Sequence, residues 1–195
     1  MGNDKKIWED FRTGDSYALS HIFHQHVDFL FRYGCKFTPH KELIKDTIQD
    51  LFFDLIRTRK NLGDTDNIRF YLIKSFRRKL FRNLKSSKNL NMHYENIEVQ
   101  ANIIYSVEEE MISREDLSDR EQKVRMALKE ISPKQREILF YRFNCDFEYD
   151  QICEIMSLKY DSARKQVFRA LRALQDKLPD REGFLFLFIA KFKND

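Results

Sequence analysis

The sequence contains few of the residues that interrupt helices. Among its 195 residues there are 5 glycines and 3 prolines against 18 phenylalanines, and 42% of the residues are hydrophobic while 34% are charged. Rare breakers and many long side chains favour helices over strands and irregular loops. We therefore predict an all-α chain, long enough for one large domain or two small ones.

Cysteine is also scarce, with Cys35, Cys145 and Cys153 scattered along the chain. An odd, scattered set indicates reduced thiols, and it lacks the close C-x-x-C spacing of a zinc site. Two other groups of potential metal ligands are interpreted as ordinary surface or interface side chains: the histidines His21, His24 and His26, and the acids Asp146, Glu148 and Asp150. The sequence therefore predicts no metal site and no cofactor.

Long hydrophobic runs are missing. The longest apolar run, 184–190, falls well short of the roughly 20 residues that a membrane helix needs. No apolar segment of the kind found in signal peptides follows the N-terminus. We predict a cytoplasmic protein without a membrane span. The short run itself is too apolar to leave in water, so we expect it to fold back onto the C-terminal domain, the alternative being a docking strip for a partner protein or a second copy.

Acidic side chains are absent from one long segment, although the net charge of the whole chain is only +4. Between Asn67 and Tyr94 there is no carboxylate, and eight basic residues fall there: Arg69, Lys74, Arg77, Arg78, Lys79, Arg82, Lys85 and Lys88. A helix with charge of one sign repels itself unless anions lie nearby, so this segment is typical of a surface that follows phosphates. The residues predicted to contact the DNA backbone are Lys74, Arg77, Arg78, Lys79 and Arg82.

Turn and start signals divide the chain into two helical domains. Gly14 and Asp15 indicate the end of one helix and the start of the next. Apolar spacing then predicts helices over about 41–60 and 68–84, separated by a polar turn at 62–67. Composition changes at Ser86, and we predict a first domain over 1–88, a flexible linker over 89–107, a second domain over 108–180 and an apolar tail over 181–195. A helix is expected to resume near Val107.

The second domain carries the pattern of a helix-turn-helix over 149–172. A short apolar-faced helix and a tight turn around Ser157 precede a second helix with one apolar and one basic face. Such a helix fits the major groove, where Arg and Lys can bond guanine edges. The residues predicted to read bases are Ser162, Arg164, Lys165, Phe168 and Arg169. Periodicity alone also fits a helical hairpin with a solvated charged face.

Three motifs resemble those of bacterial sigma factors. Residues 46–52 read D-x-x-Q-D-x-F, like a helix in the second conserved region of that family, and Tyr71-Leu72 with the basic helix resembles the adjoining promoter-melting segment. Residues 127–136 resemble the start of the fourth region, and residues 149–172 then fall on its helix-turn-helix. With only these two regions and a short linker, the chain is similar to the extracytoplasmic-function subfamily. Arg78, Ser157 and Ser162-Ala163 stand where the family usually has Asn, Gly and Thr-Val, so no promoter sequence is predicted.

The resemblance implies partners and roles. Asp46, Gln49, Asp50 and Arg57 would face the clamp helices in the largest subunit of core RNA polymerase, and the beta flap would be a second contact. A base flipped from the melted promoter would be held by the loop of Leu62, Gly63, Asp64, Thr65, Asp66 and Asn67. Promoter DNA is the other partner, and an anti-sigma protein is a candidate one. The resemblance implies an initiation factor with no catalytic residues and no enzymatic activity.

Two rival functions remain open on the residues alone. A stand-alone helix-turn-helix regulator would bind duplex DNA by itself, and a metal-dependent DNA-processing enzyme would cleave or modify it. The D-x-x-Q-D-x-F helix favours the sigma factor, because a regulator has no use for it.

Overall fold

A computed structural model describes residues 2–89 and 119–178, and all regular structure in them is helical. The first unit, Met1–Val99, contains α1 (Gly2–Thr13), α2 (Ser16–Cys35), α3 (Lys41–Thr58), a 3-10 turn (Arg59–Asn61) and α4 (Ile68–Asn89). The second unit, Gln100–Asp195, contains α5 (Asp119–Glu130), α6 (Pro133–Leu139), a wide turn (Phe140–Asn144), α7 (Tyr149–Met156) and α8 (Tyr160–Gln175). The predicted all-helical fold with a helix-turn-helix is confirmed.

Three sequence predictions fall on residues outside these ranges. The linker from residue 90 onward, the helix expected near Val107 and the apolar tail lie outside the described residues. The domain boundaries at 88, 107 and 180 and the docking of the tail therefore stay predictions.

The start of α2 has the geometry that the sequence predicts. Gly14 has φ 105°, a left-handed conformation that glycine adopts without strain. The Asp15 carboxylate accepts a hydrogen bond from the backbone N–H of Tyr17 at 2.8 Å. This bond satisfies one of the free donors at the helix start and fixes the turn between α1 and α2.

The core of the first unit lies where α2, α3 and α4 meet. Its fully buried side chains include Ile22, Leu30, Ile44, Leu51, Leu72 and Phe76. Gly34 permits this close packing, because a Cβ there would lie 2.7 Å from Cγ2 of Ile44 and 3.2 Å from Cζ of Phe76. Any side chain at Gly34 would push α2 away from its neighbours.

Two helix ends differ from the sequence prediction. The helix predicted over 41–60 ends at Thr58 and continues as the 3-10 turn Arg59–Asn61. The helix predicted to end at Leu84 continues to Asn89. Ser86 and Ser87 are only modestly unfavourable in a helix, and neither Gly nor Pro lies between Leu84 and Asn89 to stop it. The change in composition at Ser86 was therefore too weak a signal for a helix end.

The motif at 127–136 joins α5 to α6 through side chains. The Ser132 hydroxyl accepts from the N–H of Gln135 at 3.3 Å, and the Gln135 side chain accepts from the N–H of Ser132 at 2.8 Å. This is the predicted capping box, with Pro133 at the first helical position. Arg136 donates to the carbonyls of Leu128 at 3.2 Å and Lys129 at 2.9 Å, so it satisfies free acceptors at the end of α5.

The helix-turn-helix is tight although its turn has no glycine. Ser157 adopts the left-handed conformation, with φ 54° and ψ 47°, and ends α7. The N–H of Leu158 then bonds to the carbonyl of Cys153 at 3.0 Å. The serine tolerates a backbone geometry that glycine would adopt more easily. The departure from the family at this position therefore leaves the turn intact.

His26 on α2 predicts a stability that depends on pH. Its pKa lies below the ordinary value of 6.5, first because the ring is buried and then because Arg69 lies nearby, with Asp4 opposing and His21 adding to the shift. A lowered pKa means that the unfolded chain binds the proton more readily, so stability is complete above about pH 6.5 and falls as the pH drops below it. We expect a lower Tm at about pH 5.5 than at about pH 7.5, and a smaller difference in His26→Gln. Equal pH dependence in the two proteins would assign the effect to other groups.

Candidate nucleic-acid interface

Helix α8 presents one basic face and buries the other. Ala163, Val167, Ala170 and Leu174 are almost inaccessible to solvent and hold the helix on the unit. Four of the five predicted base-reading residues lie on the exposed side, namely Arg164, Lys165, Phe168 and Arg169, while Ser162 is half-buried. Arg172 continues the same exposed face one turn further along. The structure thus brings the predicted residues together on one accessible surface.

Aromatic side chains accompany this basic face. Phe168 is 65% exposed, an unusual position for a phenylalanine, and can contact the methyl group of thymine. An open groove of about 490 Å3 beside it is lined by Arg164, Lys165, Phe168 and Tyr149, among others. Tyr149 lies edge-on to Tyr160, with ring centroids 5.7 Å apart. The sequence pattern does not indicate Tyr149, because the contribution of this side chain depends on the packing of α7 against α8.

A second basic surface follows α4. Lys74, Arg78, Arg82 and Lys85 are all exposed and recur at intervals of three or four residues, so they form one ridge along the helix. We call these four residues the basic stripe. Arg77 is half-buried, and its guanidinium lies 4.7 Å from the centre of the Phe81 ring. The stripe therefore contains three of the five residues predicted to contact the DNA backbone.

Lys79 differs from the sequence prediction. Its side chain is only 11% exposed, and its ammonium group donates to the Asp54 carboxylate. That hydrogen bond is the main reason why the pKa of Asp54 lies below its ordinary value. Lys79 thus links α4 to α3, and its charge is satisfied within the fold. A run of basic residues does not reveal which of them face the neighbouring helix.

The polar loop at 62–67 is held by several of its own side chains. The side-chain oxygen Oδ1 of Asn67 accepts a hydrogen bond from the backbone N–H of Phe70 at 2.9 Å and so caps α4. The Thr65 hydroxyl accepts from the N–H of Asn67 at 3.1 Å, and Asp64 forms an ion pair with Arg12. Gly63 and Asp66 are exposed, while Leu62 is half-buried. Asp64 and Asn67 therefore have structural roles, and their role towards a flipped base stays a prediction.

Helix α3 carries the predicted partner-binding residues on its outer face. Asp46, Gln49, Asp50 and Arg57 are all exposed. Phe53, which is not among the predicted site residues, lies on the same face and is 61% exposed. Phe53 is three residues from Asp50 and four from Arg57, and this spacing in the sequence indicates that the three residues share one face of the helix. An aromatic among exposed polar residues is typical of a protein-binding surface.

A largely apolar groove borders this face between α2 and α3. It has a volume of about 520 Å3, and its lining includes Phe23, Phe31, Gln49, Phe52 and Phe53. The rings of Phe23 and Phe52 meet edge-on at 5.0 Å. Exposed apolar surface of this size and shape suits a partner side chain or helix better than a phosphate.

The described ranges contain neither a cluster suited to a metal ion nor a helix suited to a membrane. No group of three or more His, Cys, Asp or Glu side chains in residues 2–89 and 119–178 could hold a metal ion. No helix in the same part of the chain is long and apolar enough to cross a membrane.

The fold and the exposed basic face of α8 define a helical DNA-binding protein with a helix-turn-helix. Residues 121–174 match the family Sigma-70, region 4. This match lies within the second unit and supports the sigma-factor class that the sequence motifs predict. It also favours that class over a stand-alone regulator or a DNA-processing enzyme.

Two solved structures share the fold. One is CnrH in complex with the cytosolic domain of CnrY, with 13% identity, a TM-score of 0.57, and coverage of 89% of this chain and 95% of that one. The other is the sigma factor RpoE in complex with the anti-sigma factor NepR from Bartonella quintana, with 15% identity, a TM-score of 0.55, and coverage of 81% and 94%. No curated protein matches the chain significantly in sequence.

Proposed function

We propose that the protein is an extracytoplasmic-function sigma factor whose two units have different roles. The first unit binds core RNA polymerase through α3 and melts the promoter with the loop at 62–67 and the basic stripe. The second unit reads the upstream promoter element with α8 and contacts the beta flap. The observation that carries the proposal is the pair of outward-facing surfaces, one basic on α8 and one polar with an exposed aromatic on α3.

The α3 face has the composition of a polymerase-binding surface. Exposed carboxylates at Asp46 and Asp50 can pair with basic side chains on the clamp helices, and Gln49 can bond a backbone or polar group beside them. Phe53 and the adjoining groove supply the desolvated centre that a stable protein interface needs. A DNA-binding role for this face is unfavourable, because carboxylates repel phosphates.

Charge reversal at Asp50 tests this assignment. We expect Asp50→Lys to weaken binding of core polymerase by about tenfold or more, because an attractive charge at the interface becomes repulsive. Binding can be measured by fluorescence anisotropy of the labelled protein with purified core enzyme. Glu9→Lys, an equal change at an exposed position on α1, is the matched control. If Asp50→Lys binds core polymerase like the wild type, another face of the protein contacts the clamp.

An anti-sigma protein is a further partner that we propose. One of the two similar structures is a complex with an anti-sigma factor, and the other holds the cytosolic domain of CnrY. The groove between α2 and α3 could accept an apolar helix of such a protein. Binding there would overlap the α3 face and so exclude core polymerase.

The rival functions separate in a transcription assay with purified core polymerase. The proposal requires promoter-specific transcripts that depend on both proteins. It also implies a cytoplasmic initiation factor without enzymatic activity or cofactor. Specific binding of duplex DNA without polymerase, and no stimulation of transcription, would indicate a stand-alone regulator. Cleavage of DNA with Mg²⁺ or Mn²⁺ would indicate an enzyme.

A further inference from the structure

Three side chains on one face of α1 contact the polar loop at 62–67 and the residue after it. Asp4, Trp8 and Arg12 are spaced by four residues, so they lie in a row along the helix. The indole N–H of Trp8 donates to the carbonyl of Gly63 at 2.8 Å. The Asp4 carboxylate accepts from the N–H of Ile68 at 3.1 Å, and Arg12 pairs with Asp64. We call these three residues the α1 brace.

Trp8 is the central member of the brace. It is fully buried, and its ring lies 4.8 Å from Tyr71 and 5.4 Å from Phe11, measured between centroids. A buried indole N–H needs an acceptor, and the carbonyl of Gly63 is that acceptor. The bond therefore ties the beginning of the loop to the packed interior of the unit.

Asp4 holds the other end of the loop. The first residues of a helix have N–H groups without partners inside the helix. In α4 the Asn67 side chain accepts from Phe70, and Asp4 accepts from Ile68, so two of these groups are bonded. The brace thus fixes the loop at Gly63 and Asp64 on one side and at Ile68 on the other.

Fixing both ends leaves a short tip. Thr65 is half-buried and Asp66 is exposed between the fixed points. A loop that is already ordered loses less conformational entropy when it captures a ligand. The contacts of the brace come from a different helix, more than 50 residues away along the chain.

We propose that Asp4, Trp8 and Arg12 are positioning residues that hold the loop at 62–67 ready to accept an unpaired base and so speed promoter opening. The inference rests on the proposed role of that loop. The brace does not contact DNA in this proposal. It acts by keeping the tip, Thr65 and Asp66, in one arrangement before melting begins.

Trp8→Phe tests the brace because it removes the N–H donor and keeps an aromatic ring in the core. In the full-length protein we expect faster hydrogen exchange at residues 63–67 and unchanged affinity for core polymerase. Opening of duplex promoters, followed by permanganate reactivity, should slow about threefold to tenfold, the range expected for one lost buried hydrogen bond. A pre-melted template should partly restore the rate. Glu9→Gln, on the exposed side of α1, should change none of these.

The ion pair supplies a second test that does not disturb the core. Arg12→Glu and Asp64→Arg should each slow opening, and the double variant should recover most of the wild-type rate because the pair is re-formed with its charges exchanged. If the double variant opens promoters as slowly as the single variants, the ion pair between Arg12 and Asp64 does not position the loop. If the single variants open promoters slowly only because their fold is destabilised, a pre-melted template would not restore the rate, and both variants would show a lower Tm.

The outcomes separate the brace from the function of the loop. If Trp8→Phe leaves loop exchange unchanged, or loosens the loop without slowing duplex opening, the brace proposal is wrong. Asp66→Ala changes only the exposed tip, because the Thr65 hydroxyl bonds to Asn67 within the loop and is left in place. If this variant opens promoters like the wild type, the loop does not hold a base, and the proposed function of the loop fails whatever Trp8→Phe does. If the tip variant slows opening and Trp8→Phe does not, only the brace fails.

Discussion

Replacing Arg164 or Arg169 by alanine should weaken promoter binding by the polymerase holoenzyme by about 1–3 kcal/mol, the range for a lost bidentate contact to guanine. Both guanidinium groups lie on the exposed face of α8, opposite buried Ala163 and Val167. A helix with its apolar side fixed on the unit can present those groups to base edges without rearrangement. Loss of such a contact removes the preference for one base.

The test compares binding across a set of promoters that differ at single upstream positions. For each arginine, the loss should be large on the preferred promoter and small on those already changed at the contacted position. Arg172→Ala is the matched control, because the first turns of a recognition helix usually read bases while later residues approach phosphates. We expect its effect to be uniform across promoters and to shrink with added salt. A uniform loss for Arg164 and Arg169 as well would mean that they too contact phosphates.

Local signals in the sequence predicted the start of α6 and the helix-turn-helix closely. The capping box at Ser132 and Gln135, the stop at Ser157 and the apolar spacing of α8 each depend on residues within a few positions of one another. Such features can be read from sequence because helix periodicity and capping act over one or two turns. The exposed face of α8 follows directly from them.

Contacts between distant segments could not be predicted in this way. In the sequence, Lys79 is one more basic residue in a basic run. Only its hydrogen bond to Asp54, 25 residues earlier, shows that its ammonium group is held within the fold. Trp8 and Gly63 are 55 residues apart, and nothing in either local sequence indicates that they bond. Phe53 was overlooked because a phenylalanine on a helix is normally assigned to the core.

The basic stripe on α4 should dominate the electrostatic part of DNA binding. Changing Arg78 and Arg82 together to glutamate should lower holoenzyme affinity for promoter DNA by about 30-fold or more near 0.15 M salt, because each phosphate contact contributes about 0.9 to the slope of log affinity against log salt. The same change should reduce that slope by about two. Both residues are exposed and belong to the carboxylate-free segment after Asn67.

Lys79→Gln is the control that separates the stripe from the fold. It removes one positive charge from the same helix, but that charge is held by Asp54 and is largely buried. We therefore expect a lower Tm, because the bond between α4 and α3 is lost, and an unchanged salt slope. The Arg78 and Arg82 variant should show the reverse, with a near-normal Tm and a reduced slope. If its slope equals that of the wild type, the stripe does not follow the DNA backbone, and the absence of acids from α4 has another cause.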